Sequence, residues 1–255
     1  MPASYAHYRF GRQILSALPS DVRQCIQRFR RMYDMGLHGP DIFFYYNPLI
    51  KTATGDLGGS FHRQSGKAFF SAACTQAVSE AAEAYLYGLL AHYCLDALSH
   101  PFVQQKVDAG EAGHAALEAE FDRYLMELDG IAQPHTYDLS AKMKLTRGEC
   151  MTVAAFYPPA TGGNVNLSAR HMAWFHKFCA NPNRQRTRKI LRRVQPRLCD
   201  QLVPEAPVDA FARMDSELLV RFNRAARLYP ILLEQLLAHK RTGAELGAEF
   251  LPDFG

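Results

Sequence analysis

The chain has 255 residues, 48% of them hydrophobic and 21% charged, and a net charge of +4. That length and apolar fraction suffice for one large globular core, and the small positive balance does not by itself imply nucleic acid or a membrane as partner. Six cysteines without a C-x-x-C pair give no disulfide framework and are expected as reduced core residues.

In chain order, the opening MPASYAHYRFGRQ has neither the apolar core nor the cleavage site of a secretory signal. Residues 11–18 are predicted as a short helix stopped by Pro19, and Ser20 and Asp21 as caps for a helix over 22–33. Residues 36–54 read as irregular, because Gly39-Pro40 breaks a helix and the run Phe43-Phe44-Tyr45-Tyr46 has no helical stripe. Residues 55–60 read as a glycine-rich loop leading to His62. A helix is expected over 67–79, then a largely apolar one over 83–101, where Pro101 disfavours helical geometry at His100 and places it at the helix end. Residues 112–128 carry Leu117, Phe121 and Leu125 on one helical side, and Gln133-Pro134 ends that region. Residues 139–250 read as helices punctuated by Pro158-Pro159, Gly162-Gly163, Pro182, Pro196 and the prolines at 204 and 207. There is no strand alternation, internal repeat or low-complexity linker, so the expectation is one all-α, multi-helix domain over residues 1–255. No apolar run approaches the roughly 20 residues of a membrane-spanning helix. The expected setting is therefore cytoplasmic, without stable membrane insertion.

The chemistry concentrates in the apolar helix. His92, Asp96 and His100 stand at i, i+4 and i+8, and each step of four turns only about 40° beyond a full turn, so they share a face. Leu86, Leu89, Leu90, Ala91, Leu95 and Leu98 surround them, which predicts burial. A buried carboxylate needs a cation or several donors. The plain alternative is a His–Asp hydrogen bond in the core. His114 and Glu118, a second imidazole–carboxylate pair at i, i+4, favour instead a metal cluster in a cleft between helices, zinc first. Further candidates are His7, Asp41 and His62. Asp56 rivals Asp41, and His38 reads as a bystander. His135, His171, His176 and His239 have no carboxylate at helical spacing and read as structural.

The ordered set His7, Asp41, His62, His92-Tyr-Cys-Leu-Asp96, His100 and His114-Ala-Ala-Leu-Glu118 resembles the zinc-dependent phospholipases C and, more distantly, the zinc-dependent single-strand nucleases. By motif the resemblance covers roughly residues 1–130. It implies an all-α protein with two or three zinc ions. Asp41, His62, His92 and Asp96 would hold one; Asp96 would bridge to a second, shared with His7; His100, His114 and Glu118 would hold the third. Three features depart from the pattern. Secreted members begin with a Trp whose amino group and carbonyl bind the metal of the early His, whereas this chain begins Met1-Pro2 and its single tryptophan is Trp174. The step from Asp96 to His100 is shorter than in those enzymes, and that from Asp41 to His62 is longer.

The resemblance implies hydrolysis of a phosphodiester, in the phospholipase C manner, with a phospholipid as substrate. Asp41 would orient or deprotonate the attacking water while touching a metal. Phe43, Phe44 and Tyr45 are candidates for walls contacting acyl chains or a quaternary ammonium head group, with core packing the alternative for each. A nuclease-like phosphodiesterase and a non-catalytic zinc-binding or structural protein remain the alternatives, although nucleic acid is not the favoured partner. The Arg-rich stretch 184–197 reads first as a solvated helix face and second as a contact for phosphates.

Overall fold

The computed structural model describes residues 4–254, which are helical with no strand among them. The first helix is α1 (Ser4–Ile14), closed by a 3-10 turn before Pro19. It begins earlier than the sequence reading placed it, because Tyr5, Ala6, Phe10 and Ile14 all bury on one side. The helix expected over 22–33 is two: α2 (Ser20–Arg28) and α3 (Arg30–Gly36), broken at Phe29 with φ −115° and ψ 43°. Neither Ser20 nor Asp21 caps α2, whose N-cap is Pro19. A 3-10 helix at Gly39–Tyr45 follows, then α4 (Ala53–His62). The glycine-rich stretch is thus helix rather than loop. Thr52 supplies the missing propensity by accepting the Gly55 N–H at 3.0 Å as N-cap, and α4 packs on the 3-10 segment.

After α5 (Gly66–Gln76) comes α6 (Glu80–Asp108), the 29-residue axis of the fold. Sixteen of its residues are buried, so nearly its whole circumference faces protein. It contacts α3, α1, α2 and α5, and, after their turns in the chain, α7 (His114–Leu128), α8 (Arg147–Ala154) and α11 (Ala212–Thr242). Pro101 does not end this helix. Pro101 withholds one backbone donor, yet Phe102 and Val103 beyond it are buried, and their packing carries the helix on to Asp108. At the α3 crossing a Cβ on Gly88 would lie 2.2 Å from the Tyr33 carbonyl oxygen, so only glycine permits that approach.

The remaining helices are α9 (Gly162–Cys179), α10 (Arg184–Val194) and α11 (Ala212–Thr242). Gly162 and Gly163 open α9 instead of separating helices, because Thr161 and Asn164 form a capping box there. Tyr229 on α11 donates to the Tyr87 carbonyl at 2.9 Å and locks α11 onto the axis. All six cysteines are free, three of them buried.

Asp215 on α11 is buried, and its Oδ1 has no hydrogen-bond partner among the described residues. Burial, and then the negative charge of Glu120, push its carboxyl up to about 7. A carboxyl raised above its unfolded value of about 3.9 costs stability when ionised; the cost is absent below about pH 4 and complete above about pH 7. Asp215→Asn is therefore expected to stabilise the fold by roughly 2–4 kcal/mol at pH 8 and by almost nothing at pH 4, measured by urea unfolding at both.

Candidate metal centre

Five elements deliver eight side chains to one place: α1 brings His7, the 3-10 segment Asp41, α4 His62, α6 His92, Asp96 and His100, and α7 His114 and Glu118. Each placement has a local cause. α1 is clamped to α7 at its N-terminus, where the Asp122 carboxylate accepts the Tyr5 and Ala6 N–H groups at 3.1 and 2.8 Å. Two exposed helix-end donors and the helix dipole make that a natural seat for an anion. Burial nevertheless pushes Asp122 up to about 7, against the pull of the two N–H groups. Tyr5 Oη and Arg9 Nε both reach Asp129, the residue that caps the end of α7, at 2.7 and 2.9 Å. The 3-10 segment closes over the axis at Gly39, whose φ of +49° suits glycine and where a Cβ would lie 2.5 Å from His92 Cδ2.

Asp96 stands at the middle. Its Oδ1 lies 3.1 Å from His7 Nε2 and 3.8 Å from His100 Nε2; its Oδ2 lies 3.1 Å from His92 Nε2 and 3.9 Å from His62 Nε2. His62 Nε2 also faces Asp41 Oδ1 at 3.0 Å. On the other side Glu118 Oε1 is 3.3 Å from His100 Nε2 and 3.2 Å from His114 Nε2. Three groups each bring their ligand atoms within 4.8 Å of one another: His7, Asp41 and His92; His62, His92 and Asp96; and His100, His114 and Glu118. Asp41 is buried within this set while Asp56 is exposed on α4, so the geometry favours Asp41 of the two.

The tautomers are set from behind. His62, His92 and His100 donate their Nδ1–H to the carbonyls of Gly58, Leu37 and Phe254 at 2.7, 3.2 and 2.9 Å. A carbonyl only accepts, so in the neutral ring each Nε2 presents a lone pair to the carboxylates. Lone pair against carboxylate is reconciled by a proton or a metal ion. His92 Nε2 and His7 Nδ1 are buried with no hydrogen-bond partner among the described residues. Nitrogen and oxygen ligands on a tetrahedral zinc stand about 3.3 Å apart for bonds of about 2.0–2.1 Å, within the spread of separations here. A cavity of about 20 Å³ between His7, Asp96, His100 and Glu118 has room for a single ion or water. The donor set and its spacing therefore fit zinc.

The electrostatics agree. Burial opposes ionisation of Asp41, but the His62 hydrogen bond and the His92 ring outweigh it and hold the carboxyl below the usual range. Burial is outweighed likewise at Asp96 by His100, His92 and His7, and at Glu118 by His100 and His114. His92, sealed from water, is pushed down to about 4. His100 is raised to about 9, because Asp96 and Glu118 overcome its burial.

A model of the zinc-dependent phospholipase C family matches residues 6–155. The chain belongs to that family. No curated protein and no solved structure matches it. All eight clustered residues of this phospholipase C-family chain lie inside the matched stretch. Membership makes it a zinc-dependent, phospholipase C-like hydrolase in general terms.

The aromatic candidates separate. Phe43 is fully buried, 5.2 Å from the Tyr157 ring, and Tyr45 is buried against Phe175 and His176. Phe44 is 38% exposed with its ring 5.5 Å from His62. Elsewhere in the cluster the His114 side chain is 40% exposed. Met1 and Pro2 lie outside the described residues.

Two contributions had not been read from the sequence. Asp122 continues the spacing of His114 and Glu118 by four more residues, and that periodicity was a usable signal. The segment 252–254 left none. Phe254 is wholly buried, donates its N–H to the His62 carbonyl at 3.0 Å and accepts from His100, while Pro252 accepts from Gly66 N at 2.8 Å. Partners that orient metal-binding imidazoles typically contribute about 10–100-fold in metal affinity. Deleting residues 252–255 is expected to weaken zinc binding by that order, measured by competition with a chromophoric chelator; unchanged affinity would remove Phe254 from any supporting role.

Proposed function

We propose that the chain is a metal-dependent phosphodiester hydrolase that cleaves phospholipids in the phospholipase C manner, releasing diacylglycerol and a phosphorylated head group. The observation that carries this reading is the Asp96 carboxylate, buried and turned toward four imidazole Nε2 atoms within a zinc-dependent phospholipase C family member. In this reading Asp41, His62, His92 and Asp96 hold one zinc, His7 shares Asp96 with a second, and His100, His114 and Glu118 hold a third. Zinc bound there supplies Lewis acidity toward the phosphodiester and lowers the pKa of water towards about 7.

The chain supplies the rest. Asp41 is kept ionised by His62 and His92, so it can orient the attacking water by accepting a hydrogen bond. The buried rear of the cluster excludes bulk water, which strengthens each electrostatic contact inside. Phe44, beside His62 and open to solvent, offers a ring face to an acyl chain or a quaternary ammonium.

Two measurements test this. Protein purified without a histidine tag is expected to carry two or three zinc ions per chain by elemental analysis, and to release phosphocholine from short-chain lecithin. One ion or none, persisting after zinc is restored, defeats the multinuclear site; cleavage of single-stranded oligonucleotides in place of lecithin would favour the nuclease reading. Asp41→Asn is expected to lower kcat by about 10²–10⁴-fold with the fold intact by circular dichroism. A variant that alters zinc content in a protein without turnover would instead favour a non-catalytic metal protein.

A further inference from the structure

On a separate face of the molecule, α10 carries Arg184, Arg186, Arg188, Lys189, Arg192 and Arg193 and no acidic residue. The whole chain is only +4, so the remainder is slightly acidic and its positive charge is gathered on this helix. Arg184 turns inward and is buried, bonding the Cys179 carbonyl. The other five are exposed, and no ion pair reaches them among the described residues. Arg188, Lys189, Arg192 and Arg193 line one shallow hollow with Gln185. A solvated helix face normally interleaves both signs of charge; this one does not.

The same helix has an apolar edge. At 100° per residue, Ile190 and Val194 fall on one side, flanked by Arg186 and Arg193. They line a groove of about 550 Å³ with Leu49, Ile50, Trp174 and Phe178. Leu49, Ile50, Trp174, Ile190 and Val194 are five of the twelve exposed large apolar side chains among the described residues. Such clustering marks an interaction surface rather than scattered exposure. Basic residues on one helix beside exposed aliphatic and Trp side chains on that helix and its neighbours are an arrangement that suits the head-group region of an anionic bilayer. Nucleic acid would use the cations but leave Leu49, Ile50 and Val194 without a role, since stacking requires flat aromatic faces.

The groove also adjoins the candidate site in the chain. The segment carrying Asp41 and Phe44 runs straight on into Leu49 and Ile50, and His171 on α9 donates to the Tyr45 carbonyl at 3.1 Å, tying groove wall to site wall.

We propose that the basic, apolar face formed by α10, Trp174 and residues 49–50 docks the protein peripherally on a membrane containing anionic phospholipid. The choice of a lipid partner rests on the phospholipase reading, and the docking itself requires neither metal nor turnover. The cations approach the lipid phosphates while Leu49, Ile50, Trp174, Ile190 and Val194 enter the interface. Such docking is peripheral; among the described residues no helix is long and apolar enough to cross a membrane.

Trp174 is the single tryptophan, so its fluorescence reports this face alone. Full-length protein is titrated with vesicles of phosphatidylcholine, and with vesicles of equal parts phosphatidylcholine and phosphatidylserine. A blue shift confined to the anionic vesicles and suppressed by salt is the expected result. Arg186→Gln with Arg193→Gln should weaken vesicle partitioning by about thirty-fold at low salt, since each cation near an anionic surface contributes about five-fold. Leu49→Ser with Ile50→Ser should weaken it as well, with the far-ultraviolet spectrum unchanged. No blue shift, equal binding to neutral vesicles, or insensitivity to both double variants overturns the proposal. So does binding to single-stranded oligonucleotides that the arginine pair weakens while the Leu49 and Ile50 changes leave vesicle binding untouched. Hydrolysis of short-chain lecithin as monomers is measured in parallel on the unaltered protein: hydrolysis without vesicle docking defeats this inference alone, and docking without hydrolysis defeats the catalytic reading alone.

Discussion

A carboxylate inside an apolar helix sets the terms for this fold. Asp96 is 3% exposed on the most buried face of α6, where an unpaired charge would cost several kcal/mol. Four imidazoles answer it, and only His92 and His100 come from the same helix. His7 requires α1 to lie across the axis, and His62 requires α4 to return to it. The clamp of Asp122 on the first turn of α1, the close helix crossing at Gly88 and the approach of Gly39 to His92 all serve that convergence.

The imidazoles are held as firmly as the carboxylate. Three of them are fixed by backbone carbonyls drawn from three unrelated parts of the chain, one of them in the segment 252–254. That segment lies a hundred residues beyond the matched family region, yet its Phe254 ring packs 6.0 Å from His62 and 6.1 Å from His92. The carboxyl half is thus part of the support of the cluster as well as the carrier of α10. The cluster keeps its ionised carboxylates inside, while α10 carries six basic residues and no acid.

Much of the site was legible because helical spacing is a local property. His92, Asp96 and His100 share a face whatever the rest of the chain does, and so do His114 and Glu118. Loss of legibility followed the same logic. Residues 55–60 have poor intrinsic helix propensity, and the Thr52 cap and packing on the 3-10 segment override it. Pro101 is a local breaker that burial on both sides of it overrides. The choice between Asp41 and Asp56 depended on which one faces His62, a contact across 21 residues that no periodicity encodes.

The sequence by itself determined the all-helical class, the identity of eight metal-suited side chains and their resemblance to a zinc-dependent family, because residue chemistry and a 3.6-residue period are readable along the chain. Tertiary structure alone decided that Asp96 divides its two oxygens among four rings, that Phe44 faces outward while Phe43 and Tyr45 turn into the core, and that Phe254 closes behind His62 and His100. Each of these is set by where distant segments pack, and packing depends on shape and burial summed over the whole chain rather than on any local pattern.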